Sequence, residues 1–202
     1  MADTTVESID ACLPQTQCTR CGYPRCRDYA VAIAGGAADI NRCPPGDDTT
    51  IRSLSELLAR PPTPLDPACG VHTSRMRAVI LEDTCIGCRK CVDVCPVDAI
   101  VGARKLMHTV IAAECTGCEL CLPPCPVDCI ILVPVETAGD RWPEYRDDEI
   151  DRWRDLANRH FRRREEKRPS GRRQPVPSQF PDRETIRQDL RAAIARARSR
   201  RR

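Results

Sequence analysis

The sequence predicts an α+β fold in three parts: a small helical domain built on four cysteines, a domain of short strands and helices built on a doubled four-cysteine line, and a basic helical tail. Three observations predict it. Fifteen of the 202 residues are cysteine. The line CIGCRKCVDVCP at 85–96 is written again as CTGCELCLPPCP at 115–126. Charge is split along the chain: from residue 152 on there are 18 Arg and Lys against 6 Asp and Glu, while residues 1–151 hold 14 against 23.

Cysteine at this density belongs either to a disulfide scaffold or to a metal protein. The opening stretch MADTTVESIDACLP has no basic n-region and no apolar h-region, so no export signal is expected. The longest run without a charged residue is ten residues, 29–38, against the roughly 20 that a membrane helix needs. The expected location is therefore cytoplasmic, where thiols stay reduced and clustered cysteines bind metal. Aromatic residues make up only 3% of the chain. That leaves little material for a core, so bound metal is expected to supply part of the folding energy.

The helical domain is expected over 1–60. Val6, Ile9 and Leu13 mark a first helix over 3–13, and Cys12 in the same pattern reads as core. LPQTQCTRCGYPRC follows, then RCPPG, giving the spacing C-x2-C-x4-C-x16-C over Cys18, Cys21, Cys26 and Cys43. RDYAVAIAGGAADIN reads as a helix at 25–35 closed by Gly35 and Gly36, which carries the chain back so that Cys43 completes a four-cysteine site. Spacing alone leaves two readings of that site, a structural zinc and a [4Fe–4S] cluster, because four cysteines do not name their metal. Ile51, Leu54, Leu57 and Leu58 mark a third helix, started near Thr49 and Thr50 and stopped by Pro61 and Pro62. Residues 61–74 are a proline-rich linker, with Cys69 in it reading as a plain exposed thiol.

The second domain is expected over 75–136. Residues 84–100 align with 114–130 at an offset of thirty, and nine of seventeen positions are identical. Each copy reads C-x2-C-x2-C-x3-C-P. Three thiolates at n, n+3 and n+6 wrap three corners of a cubane from one tight loop, and the fourth cysteine reaches the cluster of the other copy. The expected ligand sets are therefore Cys85, Cys88, Cys91 and Cys125 for one [4Fe–4S] cluster, and Cys115, Cys118, Cys121 and Cys95 for the other. Gly87 and Gly117 are expected to let the backbone pass close to sulfide. Pro96 and Pro126 are expected to end a short helix in each copy. Strand-like runs at 78–81, 100–101, 109–111 and 130–133 flank the copies as two hairpins, which together describe a bacterial ferredoxin-type 2[4Fe–4S] fold. Cys129 pairs with Ala99 in the alignment and reads as a small buried side chain rather than a ligand. His108 lies in a strand pattern and reads as a sheet residue.

Beyond this domain, Ile150, Trp153, Ala157 and Phe161 form one apolar stripe on an amphipathic helix at 147–167, expected to pack on the ferredoxin-type domain. Residues 168–181 read as a disordered link, and 182–202 as a basic helix.

Residues 13–46 and 77–135, with LPQTQCTRCGYPRC, CPPG and both cysteine lines, resemble the B subunit of the Rnf/Rsx-type ion-translocating electron transport complex. The resemblance implies that Cys18, Cys21, Cys26 and Cys43 hold a third [4Fe–4S] cluster. It also implies redox protein partners, either other subunits of such a membrane complex or a soluble reductase. Usual members begin with a hydrophobic membrane helix. Here only the first dozen residues precede LPQTQC, so no membrane anchor is expected.

Cubanes held by four cysteines have no open coordination site, so the expected function is relay of single electrons with no substrate chemistry in the chain itself. The resemblance makes it an electron-transfer subunit of a translocase. G-x-G-x-x-G, P-loop, H-E-x-x-H and G-x-S-x-G motifs are missing from the sequence. The basic tail reads in two ways: as a solvated arginine-rich helix that aids solubility or docks on the chain's own acidic body, or as an attachment to an acidic partner or an anionic membrane surface, which would place the chain peripherally on the cytoplasmic face of the inner membrane. The alternative reading is a nucleic-acid-binding iron–sulfur protein with structural clusters and a working tail. Against it, no aromatics interleave with the arginines as a base-stacking surface requires.

Overall fold

Helix α1 (Val6–Ala11) starts at Thr5, whose hydroxyl accepts a hydrogen bond from the Ser8 N–H at 3.4 Å in the computed structural model, which describes residues 5–136, 139 and 141–167. The helix is shorter than the pattern over 3–13 predicts, because the chain turns at Cys12 into LPQTQC. Ile9 and Leu13 are fully buried. Helix α2 (Cys26–Ala34) sits where expected and buries Tyr29, Ala30 and Ile33 against them. Helix α3 (Asp47–Leu58) begins two residues earlier than predicted, since Asp47 and Asp48 suit the positive end of a helix. It buries Ile51 and Leu54 and leaves Leu57 exposed. The proline-rich stretch after it is tied down: Asn41 Nδ2 donates to the Pro64 carbonyl (2.7 Å) and the Asp66 N–H to the Asn41 carbonyl (2.8 Å).

The four strands do not form two successive hairpins. β1 (Met76–Ile80) pairs antiparallel with β4 (Ile130–Pro134), from Met76 opposite Pro134 to Ile80 opposite Ile130. Only β2 (Ile100–Val101) and β3 (Thr109–Val110) are a hairpin. The strand before the first copy thus closes on the strand after the second, which interlocks the two copies. The predicted pair of short helices is reduced to one. α4 (Lys90–Val94) forms in the first copy, but residues 120–124 make only turns. Pro123 and Pro124 stand there, and two residues without an N–H cannot carry a helical turn.

Helix α5 (Asp147–Glu166) carries three acidic residues in its first turn and two arginines in its last, as its dipole favours. Its stripe packs partly as expected. Ala157 joins the core around the cysteine loops, with Phe161 half-buried beside it. Ile150 and Trp153 instead pack with Trp142 and Tyr145 in a separate cluster. The helix also reaches the helical part: Arg154 pairs with the buried Asp10 at 3.1 Å, and the Arg25 guanidinium lies 5.1 Å from the Phe161 ring centroid. The predicted link at 168–181 and basic helix at 182–202 lie outside the described residues. Among the described residues, no helix is long and apolar enough to cross a membrane.

Candidate functional site

Three groups of cysteines gather in space. The first is built on LPQTQC. Gln15 and Gln17 are both buried and both adopt positive φ, 55° each. Gln15 Nε2 donates to the Asp10 carbonyl (2.8 Å), Gln17 Nε2 to Gln15 Oε1 (2.9 Å), and the Cys26 N–H to Gln17 Oε1 (2.9 Å). This chain of amides anchors the loop and caps α2 at its first residue. Cys18, Cys21, Cys26 and Cys43 line one small cavity between that loop, α2 and Pro44. Burial pushes the Cys26 and Cys43 thiols well up, and neighbouring thiols of the same set add to it: Cys43 and Cys18 at Cys26, Cys18 and Cys21 at Cys43.

Cys69 corrects the sequence reading. It is buried, not exposed, in a short turn at Pro67–Cys69, with its sulfur 3.9 Å from Asp66 Oδ2. The proline-rich stretch folds back onto the first cysteine group, and Cys69 adds to the upward shifts of Cys21 and Cys43.

Cys115, Cys118 and Cys121 of the second copy share a largely apolar cavity with Cys95 of the first, closed over by Ala78 and Leu132. Burial pushes Cys118 and Cys121 up to about 12, and Cys95 contributes to both shifts. In the first copy, burial raises Cys91, with Cys88 and Cys85 adding to it. Cys125 of the second copy lies on that side of the molecule. Its sulfur is 3.6 Å from Cys129 Sγ, and Cys129, pushed up to about 12 by burial, also feels Cys125 and Cys85. Cys95, the fourth cysteine of the first copy, therefore stands with the first three of the second, while Cys125 stands beside Cys129, which also feels Cys85.

The loop glycines have a role that the sequence reading does not include. Gly87 (φ 66°) and Gly117 (φ 73°) admit close approach of protein backbone. A Cβ at Gly87 would stand 2.5 Å from Leu106 N, and one at Gly117 would stand 2.3 Å from the Met76 carbonyl oxygen. Residues 76 and 106 are themselves thirty apart, so the repeat extends back through the strands.

Among the described residues, no three His, Cys, Asp or Glu side chains converge on a point where one ion could sit. Thiols that are buried or half-buried beside apolar walls suit a cationic iron–sulfide core, since a coordinated thiol is deprotonated outright and its burial cost reversed. Backbone N–H groups already point at the sulfurs: Ala99 to Cys95 (3.2 Å) and His108 to Cys85 (3.4 Å).

The first and second-copy groups adjoin. Thr116 Oγ1 donates to the buried Thr16 carbonyl at 2.8 Å, and Arg20 pairs with Glu119 at 3.0 Å. Sequence reasoning missed Gln15, Gln17, Thr16 and Thr116. LPQTQC held the only signal for the first three, two amides and a hydroxyl in an otherwise buried run.

Residues 78–132 match the family described as a 4Fe–4S dicluster domain, and residues 13–45 match one described as a putative Fe–S cluster. The chain is 60% identical over 136 residues to the B subunit of the ion-translocating oxidoreductase complex of Thiobacillus denitrificans, covering 67% of this chain and 72% of that protein. It is 54% identical over 157 residues to the B subunit of the same complex in Aeromonas hydrophila, covering 78% of each. With the corresponding subunit of Hahella chejuensis it shares 57% over 137 residues, 68% of this chain and 69% of the relative.

Proposed function

The chain belongs to the family of B subunits of the ion-translocating oxidoreductase complex, and from that membership we propose that it relays single electrons through three [4Fe–4S] clusters to or from other subunits of such a complex. The iron–sulfur electron-transfer role comes with the family. The count of three, and the residues that hold each cluster, are our assignment.

Cys18, Cys21, Cys26 and Cys43 hold one cluster. Cys115, Cys118, Cys121 and Cys95 hold the second, and Cys85, Cys88, Cys91 and Cys125 the third. Each cluster, when bound, exchanges one electron and offers no vacant coordination position. The chain supplies the rest: apolar walls that exclude water, backbone N–H groups aimed at sulfur, and a fixed order of sites. The Thr16–Thr116 and Arg20–Glu119 contacts support that order. They seat the Cys18 loop against the Cys118 loop, which leaves the Cys85 loop as the far end of the series. The excess of Arg and Lys from residue 152 on supports attachment to an anionic surface.

One observation carries the relay: Cys95 stands with Cys115, Cys118 and Cys121 around one cavity. A single structural cluster needs no partner copy, whereas two sites that share ligands are held at fixed separation. Iron, acid-labile sulfide and zinc are to be counted per chain on protein purified without oxygen. About twelve iron and twelve sulfide is the expected result. About eight iron and one zinc would make Cys18–Cys43 a zinc site and end the three-cluster reading.

A further inference from the structure

The offset of thirty that relates the two cysteine loops holds through the preceding strands. Glu82–Thr84 and Ala112–Glu114 are matching short turns, entered from Leu81 (φ −77°, ψ 100°) and Ile111 (φ −74°, ψ 100°). Of the positions near the sulfurs that break the match, two turn an alanine of one site into a donor-bearing side chain of the other, and both fall on one site. Ala78, which lines the cavity of Cys95, Cys115, Cys118 and Cys121, becomes His108 beside Cys85 and Cys91. Ala99, next to Cys95 in that same sister site, becomes Cys129 next to Cys125.

Each change adds a donor to a sulfur. His108 is 1% exposed, with Nδ1 3.3 Å from Cys91 Sγ. Its Nε2 is buried without a hydrogen-bond partner among the described residues. Gly102 makes room for the ring: a Cβ there would stand 2.2 Å from His108 Cδ2. A ring held so tightly, with one nitrogen orphaned and the other on a cysteine sulfur, is placed for that sulfur. Cys129 Sγ stands 3.6 Å from Cys125 Sγ. An iron-bound thiolate has no proton and only accepts, so in the loaded site His108 Nδ1–H and the Cys129 thiol are the donors. Methyl groups stand at both places in the sister site.

We infer that His108 and Cys129 are tuning residues that hydrogen-bond Cys91 and Cys125 and hold the site of Cys85, Cys88, Cys91 and Cys125 at a higher reduction potential than its sister. The sign follows from charge. The reduced site carries one more negative charge, and a donor to sulfur is worth more there. Between these two sites, the difference makes the one with Cys85 the favoured resting place of an electron. The inference rests on the cluster assignment above.

The test is a potentiometric titration, followed by electron paramagnetic resonance, of the full chain and of His108→Ala, Cys129→Ala and His108→Asn. The two alanine variants give this site its sister's surroundings. In each, one cluster is expected to lose between threefold and tenfold in its reduction equilibrium, up to about 59 mV downward for one electron, with the other clusters unmoved. His108→Asn, which places an amide N–H near the Nδ1 position, is expected to keep most of the native value. Unmoved potentials in both alanine variants at full iron content would overturn the inference, as would an equal shift of every cluster. If His108→Ala sheds iron, Cys129→Ala decides alone. Fewer than two clusters in the native chain would instead mean that the cluster assignment has failed.

Discussion

Arg75 holds Glu149 in a two-pronged ion pair, Nη1 to Oε2 at 2.9 Å and Nη2 to Oε1 at 3.2 Å. Its side chain is 3% exposed, and its guanidinium lies 4.7 Å from the Trp153 ring centroid. Arg75 precedes β1, and Glu149 is in the first turn of α5, where it also accepts the Arg146 N–H at 3.3 Å. The pair clamps the helix to the edge of the cysteine domain. Removing Arg75 leaves the half-buried Glu149 without its counter-charge and costs about 1–3 kcal/mol. Arg75→Ala is therefore expected to lower the thermal midpoint of unfolding by circular dichroism. Arg75→Lys should recover less than half of the loss, because an ammonium cannot bind both oxygens while stacking on Trp153. A midpoint within error of the native protein in Arg75→Ala would sink this account.

Gly117 and Gly36 make a controlled comparison. Both have positive φ, 73° and 70°, but a Cβ at Gly117 would meet the Met76 carbonyl oxygen at 2.3 Å while one at Gly36 would meet nothing within 4 Å. Alanine at Gly36 should cost about 1 kcal/mol, the left-handed penalty alone. At Gly117 it must also push β1 off the cysteine loop. Gly36→Ala is expected to keep its full iron content and Gly117→Ala to lose iron. Equal iron in the two variants would contradict the close approach.

Most of the cysteine architecture is legible in the sequence, because a repeat of thirty residues with identical thiol spacing is a covalent pattern that tertiary context cannot rewrite. The strands are legible to within two residues, yet their partners are not. Val79 pairs with Ile131 across the whole domain, and no local turn signal announces a pairing between chain ends. The second copy misleads because Pro126 marks the end of a short helix, while Pro123 and Pro124 have already removed the N–H groups that helix needs. Cys69 misleads because a proline-rich run suggests extended, solvated chain, whereas Asn41 pins this one down. His108 has the pattern of a sheet residue; the ring's direction depends on the empty Cβ position of Gly102, six residues away.

Tyr29 ties the base of the first site to pH. Its hydroxyl donates to the Asp39 carbonyl at 2.7 Å and accepts the Arg42 N–H at 3.0 Å. Burial pushes its phenol well above the ordinary value of 10.0. Below that value both folded and unfolded chains keep the proton, and the contribution to stability is complete. Above it the unfolded chain ionises first, so stability falls as pH rises toward the raised folded value. Tyr145 is raised in the same direction, by burial first, and adds to the same limb. Tyr29→Phe is expected to cost about 1–3 kcal/mol at neutral pH, by leaving the Arg42 N–H without its partner. It should also lose less than the native protein between about pH 8 and about pH 11. Parallel alkaline losses in the two proteins would rule the role out.

Cys95 offers the sharpest test of how the two copies depend on each other. It belongs to the first loop by sequence, and it lines a cavity with Cys115, Cys118 and Cys121 of the second. If all four hold one cluster, their losses cannot add, because a site can be emptied only once. Cys95→Ala combined with Cys118→Ser should therefore lose about four iron per chain, no more than the worse single variant. Cys95→Ala combined with Cys88→Ser strikes two sites and should lose about eight. The mirror pair follows from the position of Cys125 beside Cys129 and Cys85: with Cys88→Ser, Cys125→Ala should lose about four, and with Cys118→Ser about eight. Iron counted on anaerobic protein reads all four combinations. Were the pattern reversed, with Cys95 non-additive with Cys88, each loop would hold its own cluster. The interlocked pairing of β1 with β4 would then serve the fold alone.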